Sequence, residues 1–279
     1  MPAQFTSTIY ALGAVFTWGV SDFVGGYTAR RFNAFFLAVL GHLSGTVLVV
    51  ALALATHQTF PDFSHFRWAF AGGACGGISL ALFYRALSQG NMGLVAPVSA
   101  VLGAAIPTLF GAFTEGFPGG LPIAGFVLAL AGIWLVSRPE GGTRPKGLLL
   151  ATLAGIGFAL FYIFMRQAGS GSALWLAACS RGSSFVFTGI ITLVGRKLSP
   201  KYPAGFAWGL LAGCIDVSGT ALFIRASQTG RLDAAVVITS LYPVITILLA
   251  RIFLHERFTL WKTIGMVAAL ASVAMISWR

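Results

Sequence analysis

Charge is what this chain has least of. Only 9% of its 279 residues are Asp, Glu, Lys or Arg, against roughly a quarter in an ordinary soluble domain, so a water-facing globule of this length is excluded. Acidic residues are scarcer still: seven Asp and Glu stand against 18 Lys and Arg, a formal net charge of +11. An excess of this sign can mark a nucleic-acid binder. Here the cations are scattered over short loops with no basic stripe and no binding module, and no nucleic-acid partner is expected. Loop cations of this kind set membrane orientation and meet anionic lipid headgroups. The three cysteines, Cys75, Cys179 and Cys214, sit singly inside apolar runs. They have no metal-ligand spacing and read as small buried residues.

Catalytic signatures are absent as well. No phosphate-cradling glycine loop precedes a Lys-Ser or Lys-Thr pair, and the stretch from Gly141 to Gly147 lacks the spacing. His255 and Glu256 are followed by Arg257, Phe258 and Thr259, not by the second histidine a zinc helix needs. Gly41 to Gly45 reads G-H-L-S-G and makes no nucleophile elbow. A primary pump or hydrolase of these types is excluded. No catalytic residue, cofactor or metal is expected.

What the chain has in quantity is apolar length. Hydrophobic residues make up 57%, and the mean hydropathy is +0.86. A membrane-spanning helix needs about 20 apolar residues, because it rises about 1.5 Å per residue through about 30 Å of hydrocarbon. Apolar runs separated by polar or Gly/Pro punctuation lie near 8–27, 34–55, 67–87, 92–113, 120–137, 147–167, 172–194, 205–225, 232–252 and 258–278. The first is long enough to span and has no basic segment before it. It reads as a retained helix, not a cleaved signal peptide. These runs predict an all-α integral membrane protein of about ten transmembrane helices.

The ten runs are two copies of one list. At an offset of 140 residues, Ala81, Leu82, Phe83, Arg85 and Ala86 recur as Ala221, Leu222, Phe223, Arg225 and Ala226, so the string A-L-F-x-R-A appears twice. Gly73 pairs with Gly213 and Gly125 with Gly265 at the same offset. The expected units are two five-helix repeats, residues 8–138 and 147–278. A unit with an odd number of spans ends on the opposite face, so the second copy inserts inverted. Inverted repeats place a substrate site near the bilayer midplane at their interface. The expected cavity is lined by spans one, three, four, six, eight and nine.

Polar residues inside apolar runs are the candidates for chemistry, because a charge in hydrocarbon is costly. Asp22 and Asp216 are carboxylates in spans one and eight. His42 and Arg181 lie in spans two and seven at nearly equivalent repeat positions. These four are candidate coupling groups, with protons as a candidate partner. Trp18 stands one turn before Asp22 on the same helical face, a pairing suited to an amine. The repeat offset carries Trp18 onto Phe158 and Asp22 onto Tyr162. With Tyr84 and Tyr242, these residues form the expected substrate-binding set. Pro97, Pro107 and Pro243 each remove a helical hydrogen bond and are candidate helix breaks. Glycines at small-xxx-small spacing, Gly72, Gly73, Gly76 and Gly77 with Gly209 and Gly213, allow close helix approach. Arg85 and Arg225 close spans three and eight and are placed to snorkel to the headgroups.

Several of these stretches resemble the EamA-like branch of the drug/metabolite transporter superfamily. Trp18-Gly19 resembles its W-G in span one, and Phe83 to Ala86 and Phe223 to Ala226 resemble its aromatic-x-x-A-L. Ser240-Leu241-Tyr242-Pro243, leading to Leu254-His255-Glu256-Arg257, is similar to its S-L-x-P followed by L-G-E-R, with histidine in place of glycine. The first repeat departs further, with Gly103 in place of the proline. The resemblance implies a secondary transporter in the bacterial cell inner membrane, exporting amino acids or related small metabolites by alternating access. Sugar or sugar-nucleotide carriage on the same fold is the alternative. A lipid flippase, a channel or a membrane enzyme are the alternatives from other classes.

Overall fold

The protein is described from a computed structural model, and the residues described are 3–89, 92–136, 147–196, 203–254 and 259–277. The His255-Glu256-Arg257 motif and the 141–146 stretch lie outside the described residues.

Lipid offers the backbone no hydrogen-bond partner, so apolar runs close their bonds internally as helices. The described residues form helices α1 (Ala3–Thr28), α2 (Ala34–Ala55), α3 (Phe63–Ser88), α4 (Met92–Glu115), α5 (Gly120–Val136), α6 (Leu148–Gln167), α7 (Ala173–Val194), α8 (Pro203–Thr229), α9 (Leu232–Thr239), α10 (Tyr242–Leu254) and α11 (Leu260–Ser277). Starts are set locally. The Asn33 side chain accepts from the amides of Phe35 and Phe36 ahead of α2, and the Ser172 hydroxyl accepts from Trp175 N at the start of α7.

Among the described residues, seven stretches are long and apolar enough to cross a membrane: Ala34–Ala55, Phe63–Ser88, Val98–Glu115, Leu148–Gln167, Ala173–Val194, Ala204–Thr229 and Leu232–Leu254, with a shorter apolar helix at Gly120–Gly132. The chain is therefore a multi-pass membrane protein. Helix α1 is outside this set because it carries polar groups on its inner side: Ser7, Thr8, Ser21 and Asp22 are all buried.

The helix packing is two-fold. Helix α1 lies on α8, α9 and α10, as α6 lies on α3 and α4. Helix α2 lies on α7 and α8, as α7 lies on α2 and α3, and α5 pairs with α11 at the periphery. Exchanging the halves maps this list onto itself. Equivalent glycines make the equivalent crossings: a Cβ on Gly213 would fall on the Gly41 carbonyl, and a Cβ on Gly73 would fall on the Ser180 carbonyl. Neither backbone can yield without separating the helices. Gly73→Val and Gly213→Val should each destabilise the protein by about 1–3 kcal/mol or more, read as a lower unfolding midpoint in detergent. An unchanged midpoint would contradict the crossing geometry.

Two of the three expected helix breaks are corrected. Helix α4 runs unbroken through Pro97 and Pro107, since one missing amide is tolerated when the flanking turns are held. Ser99 Oγ donates to Ala151 O of α6 at 2.8 Å, one such support. The break occurs at Ser240–Leu241, just before Pro243, and divides span nine into α9 and α10. Proline there removes a donor to Thr239 O. The Thr246 hydroxyl then bridges α10 to α1, 3.1 Å from Gly19 O.

Candidate substrate cavity

The helices meet around a cavity of about 50 Å³, room for a few waters and too small for a metabolite. Trp18 and Asp22 line it from α1, Gly76 and Leu80 from α3, and Phe158, Phe161 and Tyr162 from α6. Ser180, Arg181 and Ser184 face it from α7, Asp216 from α8 and Tyr242 from the start of α10. Helix α7 thus takes the place expected for span four. The lining straddles the repeat axis, because Trp18 and Phe158, Asp22 and Tyr162, and Gly76 and Asp216 are equivalent pairs. The chemistry is nonetheless one-sided. The α1–α8 pair carries both carboxylates, and the equivalent α6–α3 pair supplies a tyrosine and a glycine.

Charge in the cavity does not balance. Arg181 Nη1 lies 2.7 Å from Asp216 Oδ2, both side chains 8% exposed. The same guanidinium donates to the Thr220 hydroxyl and, at 3.4 Å, to His42 Nδ1. Having only donors, it requires that His42 nitrogen to be the acceptor. Asp22 is 5% exposed, and among the described residues no hydrogen bond or ion pair reaches its carboxylate. Two carboxylates and one guanidinium leave one negative charge, and low dielectric makes an uncompensated charge expensive. A proton or a cationic ligand on Asp22 closes that deficit.

Aromatic rings surround this charge. The Trp18 indole donates to Asp216 O at 3.1 Å, which fixes its plane, and its ring centroid lies 6.0 Å from that of Tyr162. The Tyr242 hydroxyl is buried with no partner among the described residues. Such a group is costly unless a ligand or water meets it.

Five of the six residues expected to bind substrate therefore share the cavity: Trp18, Asp22, Phe158, Tyr162 and Tyr242. Tyr84 stands behind it, 2% exposed, its hydroxyl 3.4 Å from that of Ser21 and its ring against Gly25. Of the coupling candidates, Asp22, Asp216 and Arg181 face the cavity and His42 sits behind Arg181. Arg85 and Arg225 are exposed. Sequence reasoning missed Leu80, Phe161, Ser180 and Ser184, and read Gly76 as a packing residue only. Ser180 and Ser184 flank Arg181 one turn apart, a polar face on α7 that could have signalled its role.

A polytopic helical bundle with a buried, charge-unbalanced cavity between two similar halves fits a membrane transporter. The sequence profile of the EamA-like transporter family matches residues 6–138 and again 145–278, and the chain belongs to that family, within the drug/metabolite transporter superfamily. It is 26% identical over 210 residues to YvbV, an uncharacterized transporter of Bacillus subtilis (strain 168), across 72% of this chain and 69% of that one. A protein crystal structure superposes with a TM-score of 0.75 at 16% identity, covering 98% of this chain and 97% of the other. That likeness shows the fold.

Proposed function

We propose that this transporter binds a small amine-bearing metabolite, amino acids foremost, at Asp22 and Trp18, and moves it by alternating access as an exporter in the bacterial inner membrane. In this reading α1, α5 and α11 also cross the bilayer, α9 and α10 together make one span, and ten spans form two inverted five-helix repeats at 8–138 and 147–278. The observation that carries the reading is the unpartnered Asp22 carboxylate in a ring-lined cavity. An ammonium group satisfies both, with an ion pair to the acid and cation–π contact with the rings. A proton is the alternative occupant of Asp22, so the protein exchanges amine for proton and never crosses with a bare charge. Arg181 and Asp216 form the fixed polar wall, with His42 behind Arg181.

The cavity holds little free space in this conformation, so a metabolite would enter only as the helices around it move apart. A thermal-shift screen of the purified protein against amino acids, sugars, nucleotides and cationic drugs tests the substrate class, since ligands that bind the native state stabilise it. Shifts with amino acids that vanish in Trp18→Ala are expected. Shifts confined to sugars would favour a sugar carrier, and shifts confined to lipids a flippase.

A further inference from the structure

We propose that Phe83 and Phe223, equivalent residues of the two repeats, are the paired gates that close the cavity toward opposite ends of the bundle. The inference rests on the alternating-access reading above.

Each phenylalanine stands seven residues beyond a cavity-lining position on its own helix: Phe83 beyond Gly76 on α3, Phe223 beyond Asp216 on α8. Seven residues are two turns, about 10 Å along the helix. The two helices lead to different ends. Beyond Phe83, Ala86 touches Gly147 at the start of α6. Beyond Phe223, the Ser227 carbonyl accepts from Arg166 and Gln228 donates to Gly169 O at 2.9 Å, both near the end of α6. The 20 residues of α6 separate those ends by about 30 Å.

The rings are placed alike. Phe83 and Phe223 are both 0% exposed. Phe83 lies 5.8 Å from the Phe158 ring, and Phe223 lies 5.8 Å from its equivalent, Trp18. Each also touches a tyrosine of the cavity wall: Phe83 meets Tyr242 at 6.4 Å and Phe223 meets Tyr162 at 4.8 Å. Along α3 and along α8, the cavity wall thus ends in a ring packed edge-on or tilted against a binding residue. A ligand that moves Trp18 or Phe158 disturbs one gate directly.

The Phe223 end is fastened across the two repeats. At the Phe223 end, Arg166 pairs with Glu115 at 2.6 Å, Leu232 N donates to Glu115 Oε2 at 3.1 Å, and Arg231 donates to Glu115 O at 2.9 Å while paired with Asp233. These bonds tie α4 of the first repeat to α6 and α9 of the second. The repeat equivalents of Arg166 and Arg231 are Gly26 and Asn91, neither a cation.

The test uses the full chain with Cys75, Cys179 and Cys214 replaced by alanine and Ser180→Cys placed in the cavity wall, reconstituted in vesicles. A membrane-impermeant thiol reagent is applied to one face at a time. Phe83→Ala should raise the labelling rate about tenfold from one face only, and Phe223→Ala combined with Glu115→Gln should raise it from the other, as the open populations shift. Phe83→Leu and Phe223→Leu, which keep an apolar side chain, should shift labelling the same way by less. Unchanged labelling in the folded variants, or an increase from the same face in both, overturns the gates. Equal labelling from both faces before any gate substitution overturns alternating access itself.

Discussion

Asp22→Asn should leave a folded protein that no longer binds its amine. The amide keeps the shape of the acid but removes the one uncompensated negative charge in the cavity, where Asp22 is 5% exposed and without a partner among the described residues. Removing one member of a buried ion pair costs about 3–5 kcal/mol, so affinity should fall by on the order of 100- to 4,000-fold. A second consequence separates this from loss of packing. In the wild type, protons and amine compete for the carboxylate, so binding weakens as pH falls; in Asp22→Asn the residual binding is flat with pH. Isothermal titration at several pH values measures both. Wild-type affinity with a wild-type pH profile in the variant would remove Asp22 from the site.

Arg181→Met should be the most destabilising single change in the cavity wall. It strands Asp216, now paired at 2.7 Å, beside Asp22 in the same cavity, so two bare carboxylates share one low-dielectric space. The expected loss is about 3–5 kcal/mol, a fall in unfolding midpoint on the order of 10 °C. Removing the stranded acid as well, in Arg181→Met with Asp216→Asn, should restore most of that midpoint, because the penalty lies in the unpaired charge. A double variant as unstable as the single one would mean that Arg181 acts through packing, Thr220 or His42 and not through Asp216.

The architecture was legible because bilayer physics acts on composition. Apolar runs of span length and the A-L-F-x-R-A string at 140 residues led to two similar units, and the packing list maps onto itself when they are exchanged. The site was legible where cost singled residues out: a carboxylate inside an apolar run needs a reason, and Asp22, Asp216 and Arg181 meet in one cavity. Residues whose role depends on partners were not. Ser180 and Leu80 look like any small or apolar residue until the crossing angles are known. Proline chemistry alone could not tell α4, continuous through Pro97 and Pro107, from the Pro243 region, where the chain breaks two residues earlier. Tyr84 was expected in the substrate-binding set, and in the fold its ring is taken up by Gly25 and its hydroxyl by Ser21.

The most direct test of the central claim is solute counterflow in proteoliposomes of the full chain, loaded with unlabelled amino acid and diluted into a trace of the labelled one. Alternating access at a single Asp22 site predicts a transient, saturable accumulation of label above its external concentration, abolished by Asp22→Asn. Label that only equilibrates, at a rate proportional to concentration and indifferent to Asp22, would contradict it.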